Sequence, residues 1–368
     1  MAGTLHKIAT YNMSFMSDLS TEIGPKMAFA SEGAFLAGLR GKPEERRSYW
    51  ISAMNLLKDF LVKEQPSVVG LQEMNLTAEG AASGTNAINQ MLSGTGYKQI
   101  SQSVPTNNAG LSIIYHPEKV GEVKHVQCLD NVNQGGRPLL MVVTELSGKN
   151  YLSVSIHGAQ DPKLRLDKDA FNAYMVEKNK TFLESSAKTF LDANGIDVAG
   201  LAGVFIMGDF NDRYDGISEI KIGEKVASYS GVAPKSCCHN WDSSCPDGDL
   251  VEKDFGNGYK TCKEPAADQM KSAELGKLAL PGDRGAVKNY KYAGDKVFGL
   301  NPKSDMAMYR PAVNGWDGIS KESDHELVYA SFGEGVAGGR LRLQAGGGRK
   351  TRKGNTKAKR SRSRYSRK

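Results

Sequence analysis

The sequence predicts an α/β sandwich: two mixed, mainly antiparallel β-sheets face to face, flanked by helices. Three observations point there. Short apolar or alternating runs follow one another closely, separated by turn sequences such as Asn107-Asn108-Ala109-Gly110 and Ser147-Gly148-Lys149-Asn150. Two stretches of helical apolar spacing interrupt these runs, so helices should pack on the sheets. No Gly-x-Gly-x-x-Gly follows an early strand, which argues against a doubly wound nucleotide-binding sheet. Gly346-Gly347-Gly348-Arg349-Lys350-Thr351 has phosphate-loop residues without the spacing or a following helix.

In chain order, His6–Ser14 reads as a strand ending in Tyr11-Asn12, and the Gly-bearing segment to Lys42 reads as a loop. Pro43-Glu44-Glu45 then opens a helix, with proline at the first position and acids at the positive end of the dipole. Trp50, Met54, Leu57 and Leu61 form its apolar stripe, and it ends near Gln65-Pro66. Ser67–Glu73 is a buried strand tipped by a carboxylate. Strands follow at Tyr97–Ser103, Ala109–His116, Gly121–Cys128, Pro138–Leu146 and Tyr151–His157. Leu166–Ala187 is the second helix, with Phe171, Tyr174, Met175 and Phe182 as its stripe.

Val204-Phe205-Ile206-Met207 is a strand buried on both faces, followed by Gly208-Asp209-Phe210-Asn211-Asp212-Arg213. Gly208 is expected to free the backbone where the strand leaves the sheet. With a period of two, Asp209 and Asn211 should point to the same side. Residues 214–293 are polar, Gly- and Lys-rich and weakly periodic, and read as a long insertion. Asp295–Gly299 and His325–Phe332 are the last strands, and there is no internal repeat. The expected organisation is one folded domain over residues 1–335 and a disordered basic tail over 336–368.

Charge is divided unevenly. Residues 340–368 hold 13 of the 48 Lys and Arg and none of the 41 Asp and Glu, leaving 35 basic against 41 acidic residues before them. An acidic globule therefore carries a basic tail. No apolar run approaches the length that spans a bilayer, and the start lacks a secretory pattern. The expectation is an intracellular protein, cytoplasmic or nuclear, or one packed in a virion, since basic Gly-led tails of this style resemble those on proteins of large DNA viruses. The five cysteines, Cys128, Cys237, Cys238, Cys245 and Cys262, include no pair of Cys-x-x-Cys knuckles. Free thiols in a surface insertion are expected ahead of disulfides or zinc.

Polar groups recur at strand ends: Asn12, Glu73, His157, Asp209 with Asn211, Asp295, and Asp324-His325. One such end is unremarkable, but six place carboxylates, amides and imidazoles at sheet edges. The set Tyr11-Asn12, Leu71-Gln72-Glu73, Ser155-Ile156-His157, Gly208-Asp209-Phe210-Asn211 and Ser323-Asp324-His325 resembles the endonuclease/exonuclease/phosphatase superfamily, in the family's order and over roughly His6–Phe332. The resemblance implies a four-layered, DNase I-like sandwich that hydrolyses phosphoesters with Mg²⁺, Mn²⁺ being a substitute. It makes Glu73 the principal metal ligand, with Asn12 and Asp324 completing the shell. It assigns Asp209 to the attacking water, Asn211 to holding Asp209 or a phosphate oxygen, and His325 to the scissile phosphate or to base catalysis, oriented by Asp295. It places His157 as phosphate ligand or general acid.

Arg137 and Asn108 precede strands that reach the same edge and are candidate phosphate contacts, as is Arg213. Gly-Asp-Phe-Asn-Asp-Arg is similar to the form seen in inositol polyphosphate 5-phosphatases, but Tyr292–Val297 keeps Asp295 and lacks the Trp and second Arg of their other motif. A monomeric nuclease is therefore favoured, a phosphoinositide phosphatase being the alternative. The tail residues Arg349, Lys350, Arg352, Lys353, Lys359, Arg360, Arg362 and Arg364 suit polyanions such as DNA, RNA or acidic membranes. A reading from another class is a catalytically retired member that binds nucleic acid, against which the intact polar set argues.

Overall fold

Runs of apolar residues at the period of a strand sort themselves onto two faces, and this sorting builds the layers. The computed structural model describes residues 4–13, 43–75, 88–104, 107–131, 137–159, 168–212, 215–234, 236, 250–252, 260–262, 293–309 and 325–335. All of them lie within one compact unit, Met1–Ala337. The tail lies outside the described residues, as do Cys237, Cys238 and Cys245.

The strands are β1 (Leu5–Asn12), β2 (Val68–Asn75), β3 (Lys98–Val104), β4 (Asn107–Tyr115), β5 (Glu122–Asn131), β6 (Arg137–Leu146), β7 (Lys149–His157) and β8 (Leu201–Asp209). They continue as β9 (Glu219–Ile222), β10 (Lys225–Ser228), β11 (Leu250–Glu252), β12 (Lys260–Cys262), β13 (Asp295–Gly299), β14 (Ala307–Met308) and β15 (Val328–Gly333). The first sheet has the order β14-β15-β1-β2-β4-β3, the second β5-β6-β7-β8-β13-β10-β9, and β11 and β12 form a two-stranded sheet. Each large sheet contains one parallel pair, β1 with β2 and β7 with β8, and is otherwise antiparallel. A parallel pair needs a crossover. Helix α1 (Pro43–Glu64) lies between β1 and β2 in sequence, and a long helix at Lys168–Ala193 lies between β7 and β8.

β8 shows how the layers form. Val204 and Ile206 face the second helix with Phe171, Met175 and Leu183, whereas Phe205 and Met207 face the first sheet with Ile8, Val68 and Leu111. Each such buried side chain contributes roughly 1.5–3 kcal/mol. On the outer face of the first sheet, Ala53, Met54, Leu57, Phe60 and Leu61 of α1 pack on Ala9, Tyr11, Val69 and Leu71. The order is helix, sheet, sheet, helix: the four-layered, mainly antiparallel sandwich that the sequence implies.

The second helix departs from expectation. It consists of α2 (Lys168–Met175), a π-helical turn (Val176–Thr181) and α3 (Phe182–Ala193). Phe171, Met175, Asn179, Leu183, Ala187 and Leu191 are buried at a strict spacing of four. That spacing drifts by about 40° per step on an α-helix of 3.6 residues per turn, and the wider π turn absorbs part of the drift. Tyr174 and Phe182 are therefore only half-buried at the edge of the stripe. The segment read as an insertion also begins with regular structure, since β9 and β10 pair around Gly223 (φ +58°) and extend the second sheet through β13.

Two buried polar groups bear on stability. Lys296 is fully buried, and its Nζ donates to Asp212 Oδ2 (2.7 Å), Asp215 Oδ1 (2.7 Å) and Ile217 O (3.0 Å), so all three ammonium protons are used. Removing one partner of a buried pair strands the other charge, so Lys296→Met should cost about 3–5 kcal/mol. Urea unfolding would show this as a lower midpoint, and an unchanged midpoint would contradict it.

At the far end of β1, His6 is buried between Tyr151 and Phe205, with Nδ1 3.1 Å from Ser67 Oγ and no hydrogen bond at Nε2. Burial holds its imidazole down to about 4 against the opposing pull of Glu334. The unfolded chain then takes up a proton between pH 6.5 and about 4 that the folded chain does not, so stability falls as pH falls through that window. The loss is at most about 3 kcal/mol. Between pH 7 and pH ~4 the urea midpoint of the wild type should fall relative to that of His6→Leu; a constant difference would refute the buried neutral histidine.

Candidate active site

Register and strand parity bring the polar strand ends together. Parallel pairing sets Asn12 opposite Gln72 and His157 opposite Asp209. β13 runs antiparallel to β8, so its first residue, Asp295, also lies opposite Asp209. β15 runs antiparallel to β1 with Val328 opposite Thr10, which leaves His325 just beyond it on the same edge. Alternation then selects the face. Ile8 packs between the sheets, so Thr10 and Asn12 follow it there; Phe205 and Met207 lead Asp209, and Val297 leads Asp295, in the same way. In β7, Leu152, Val154 and Ile156 take the helix side and His157 the inter-sheet side.

Glu73 breaks this rule. Val69 and Leu71 face α1, so regular alternation would send Glu73 there too. Instead the β2–β4 register shifts between Leu71 and Met74, and Glu73 has φ +55°. The bulge re-aims the carboxylate into the slot, at a backbone cost of about 1–3 kcal/mol.

The resulting geometry is tight. Asn12 Nδ2 donates to Glu73 Oε1 and to Asp209 Oδ2, both at 3.1 Å, tying the two sheets together. His157 Nε2 lies 3.2 Å from Glu73 Oε1 and 3.9 Å from Asp209 Oδ2. Arg137, at the start of β6, places Nη1 2.9 Å from His157 Nδ1. The same Nη1 also contacts His157 Nε2, and burial and then Arg137 hold the His157 imidazole below its ordinary value. His325 Nδ1 lies 2.8 Å from Asp295 Oδ2, and its Nε2 is 3.8 Å from Asp209 Oδ2. Burial pushes the Asp295 carboxyl up, against the pull of His325. Ser236 Oγ donates to the same Asp295 oxygen at 2.7 Å. Below these groups a polar ladder crosses the sandwich, from Thr10 Oγ1 to Gln72 Oε1 (3.0 Å) and from Gln72 Nε2 to Ser155 Oγ (3.1 Å).

Two expectations about the Gly-Asp-Phe-Asn segment are corrected. Gly208 lies inside β8 and adopts ordinary strand backbone; a Cβ there would meet Ile156 O at 2.2 Å, so close approach to β7 is what requires glycine. Asn211 is beyond the strand with φ +51°, so period two does not apply to it. Its backbone N–H, not its side chain, holds Asp209 Oδ1 (2.8 Å), and its carboxamide donates to Gly158 O (3.0 Å).

The structure thus brings Asn12, Glu73, Arg137, His157, Asp209, Asp295 and His325 into one slot, with Asn211 at its rim. The side chain of Asn108, and all of Asp324, Arg213 and the tail cations Arg349, Lys350, Arg352, Lys353, Lys359, Arg360, Arg362 and Arg364, lie outside the described residues. Sequence reasoning missed Ser236, which stands in a stretch without periodicity. It also missed Lys296 with Asp212, and Asn179, a polar residue in register with the apolar stripe Phe171, Met175 and Leu183.

The donor set fits a hard divalent cation. Ligand atoms of Glu73, His157 and Asp209 lie within 4.8 Å of one another, as do those of Asp209, Asp295 and His325. Three buried carboxylates face one guanidinium and two imidazoles, an excess of negative charge that a cation would offset. Glu73 could supply a carboxylate oxygen, and Asn12 its amide oxygen by turning over.

No protein-family model matches the chain, and neither does any curated protein sequence. Solved structures match at low identity. TDP2 from Caenorhabditis elegans is 15% identical over 89% of this chain and 75% of its own, with a TM-score of 0.46. The human Nocturnin catalytic domain is 11% identical over 90% and 95%, with a TM-score of 0.42. An endonuclease/exonuclease/phosphatase from Bacteroides vulgatus is 13% identical over 89% and 98%, with a TM-score of 0.43. By its own layer order, and by the order of the motifs along its strands, the chain has the DNase I-like sandwich that its sequence resemblance implies.

Proposed function

We propose that this protein is a divalent-metal-dependent phosphoester hydrolase acting as a phosphodiesterase on nucleic acid. The observation that carries the reading is the convergence of Glu73, His157, Asp209 and the Asp295–His325 pair from both sheets into one buried slot. A phosphodiester is anionic and resists attack, so its hydrolysis needs charge neutralisation, a positioned water and a proton for the leaving oxygen. Arg137 supplies a fixed positive charge beside His157. His157, whose Nε2 lies 3.2 Å from Glu73 Oε1, serves as a ligand to a phosphate oxygen. Asp209, held through Oδ1 by the Asn211 amide, presents Oδ2 to a water and takes up its proton. His325, oriented by Asp295, presents Nε2 to the phosphate. Mg²⁺ held by Glu73 and Asn12, with Asp324 as the further ligand the resemblance implies, would add charge neutralisation at the phosphate, and Mn²⁺ would serve in its place.

The substrate class rests on the sequence. The basic tail suits a polyanion, and the Asp295 neighbourhood lacks the Trp and Arg of the inositol phosphatases. The tail is read as a separate polyanion-holding segment and residues 1–335 as the catalytic part.

With Mg²⁺ present, Asp209→Asn and His325→Ala should each lower kcat by about 10²–10⁴-fold. The assay is a panel of single-stranded DNA, RNA, abasic duplex and phosphoinositide, with EDTA abolishing turnover. Full activity in either variant, or cleavage indifferent to EDTA, would sink the reading; preference for the lipid would move the substrate to phosphoinositides. Removing residues 340–368 should flatten the salt dependence of polyanion binding while leaving kcat on a short substrate unchanged, as read by fluorescence anisotropy and turnover side by side. Parallel loss of both would place the tail in the site instead.

A further inference from the structure

Asn179 is almost fully buried on the π-helical turn between α2 and α3, away from the slot itself. Its carboxamide spans two strand-end loops: Oδ1 accepts from Ala159 N at 2.7 Å, and Nδ2 donates to Phe210 O at 2.8 Å. Ala159 lies two residues after His157, and Phe210 directly follows Asp209. The same loops are joined by Gly158 N to Asp209 O (2.6 Å) and by Asn211 Nδ2 to Gly158 O (3.0 Å). A Cβ on Gly158 would sit 2.7 Å from Phe210 O and 2.9 Å from Asn179 Nδ2, so no side chain could replace this seam.

An asparagine in an apolar stripe costs stability unless both ends of its amide are satisfied. A leucine would suit packing against Phe171, Met175 and Leu183 better. The π turn is itself a less favourable helix geometry, and such turns occur frequently at functional sites. Both features serve one result: a backbone donor after β7 and a backbone acceptor after β8 are fixed by a single rigid group.

We infer that Asn179 is a positioning residue for hydrolysis, clamping the loops after β7 and β8 so that His157 and Asp209 keep their mutual setting. The inference rests on the hydrolase reading above. Asn179 bonds only Ala159 N, Met175 Sδ and Phe210 O, whereas Glu73 and Asn12, the groups proposed to hold the cation, stand on the first sheet. Losing the clamp should therefore impair turnover and spare cation binding. Misplacement of reacting groups by about 1 Å can cost on the order of 10²-fold in rate.

The test uses the full chain with Asn179→Ala and the near-isosteric Asn179→Asp, which loses the donor to Phe210 O. Thermal unfolding establishes the folded fraction, and electron paramagnetic resonance of free Mn²⁺ gives cation affinity. Steady-state turnover is measured on the panel substrate, single-stranded DNA, RNA or phosphoinositide, that wild type hydrolyses fastest. The expected result is a kcat lowered about 10–100-fold per folded molecule in either variant, with KM and Mn²⁺ affinity within about threefold of wild type. Unchanged kcat overturns the inference. So does a loss of kcat that merely follows the folded fraction or the Mn²⁺ affinity, and failure of both variants to fold would make Asn179 a stability residue only. A wild type that hydrolyses nothing in the panel sinks the hydrolase reading, and this inference with it.

Discussion

The parallel pairing of β7 with β8 sets His157 opposite Asp209, and the parallel pairing of β1 with β2 sets Asn12 beside Gln72 and Glu73. In an antiparallel pair, one strand's end meets the other's beginning. Two parallel pairs, one in each sheet, instead deliver four strand ends to the same edge of the sandwich. Each pair requires a helical crossover, and those crossovers are the outer layers. The layer order and the site are thus consequences of one topological choice. The antiparallel neighbours β13 and β15 then add Asp295 and His325 because they begin at that edge.

Holding these groups there costs stability, and the surrounding structure offsets the cost with specific contacts. Glu73 and Asn211 adopt left-handed backbone, and Asp295 keeps one buried carboxylate oxygen without a hydrogen bond. Against this stand the Thr10–Gln72–Ser155 ladder and the bridging Asn12 amide, which fix one sheet on the other, and the Lys296–Asp212 pair, which anchors the loop after β8 on β13. Parity separates these tasks. On β13, Asp295 faces the slot while Lys296, one residue later, faces the helix layer beside Phe298.

Much of this was legible in the sequence because it depends on period and type alone. Val204–Met207 reads as a strand buried on both faces, and Met54, Leu57 and Leu61 read as a helix face; both are so. The motif-bearing strand ends also meet as a set. What could not be read depends on departures from regular period or on distant partners. The bulge at Glu73 and the left-handed Asn211 reverse or end the alternation within one residue, which no period reports. Gly208 is a glycine because β7 passes too close, a fact fixed by a residue some fifty positions earlier. Ser236 reaches Asp295 from a segment with no pattern. Asn179 left a signal, a polar residue at fourfold spacing in an apolar stripe, but the π turn that makes this spacing hold is not encoded in residue type.

The slot is shared between the sheets, and this division constrains how it can work. The first sheet contributes Asn12 and Glu73, oxygen-bearing groups suited to a cation, with His325 just before β15. The second contributes Arg137, His157, Asp209 and Asp295, the groups suited to handling a phosphate and a proton. The bridge of Asn12 to Asp209 and the contact of His157 with Glu73 cross between the two sets. A reaction that needs charge neutralisation and proton transfer at one phosphorus atom needs both sets at fixed separation. A sandwich supplies that separation through close packing, because a dense apolar interface resists sliding. The geometry of the slot is therefore maintained by residues away from it, Phe205, Met207 and Val297 packed against Ile8, Val68 and Leu111. Cavity-forming changes among them should reach the site as a change in the distance between its two halves.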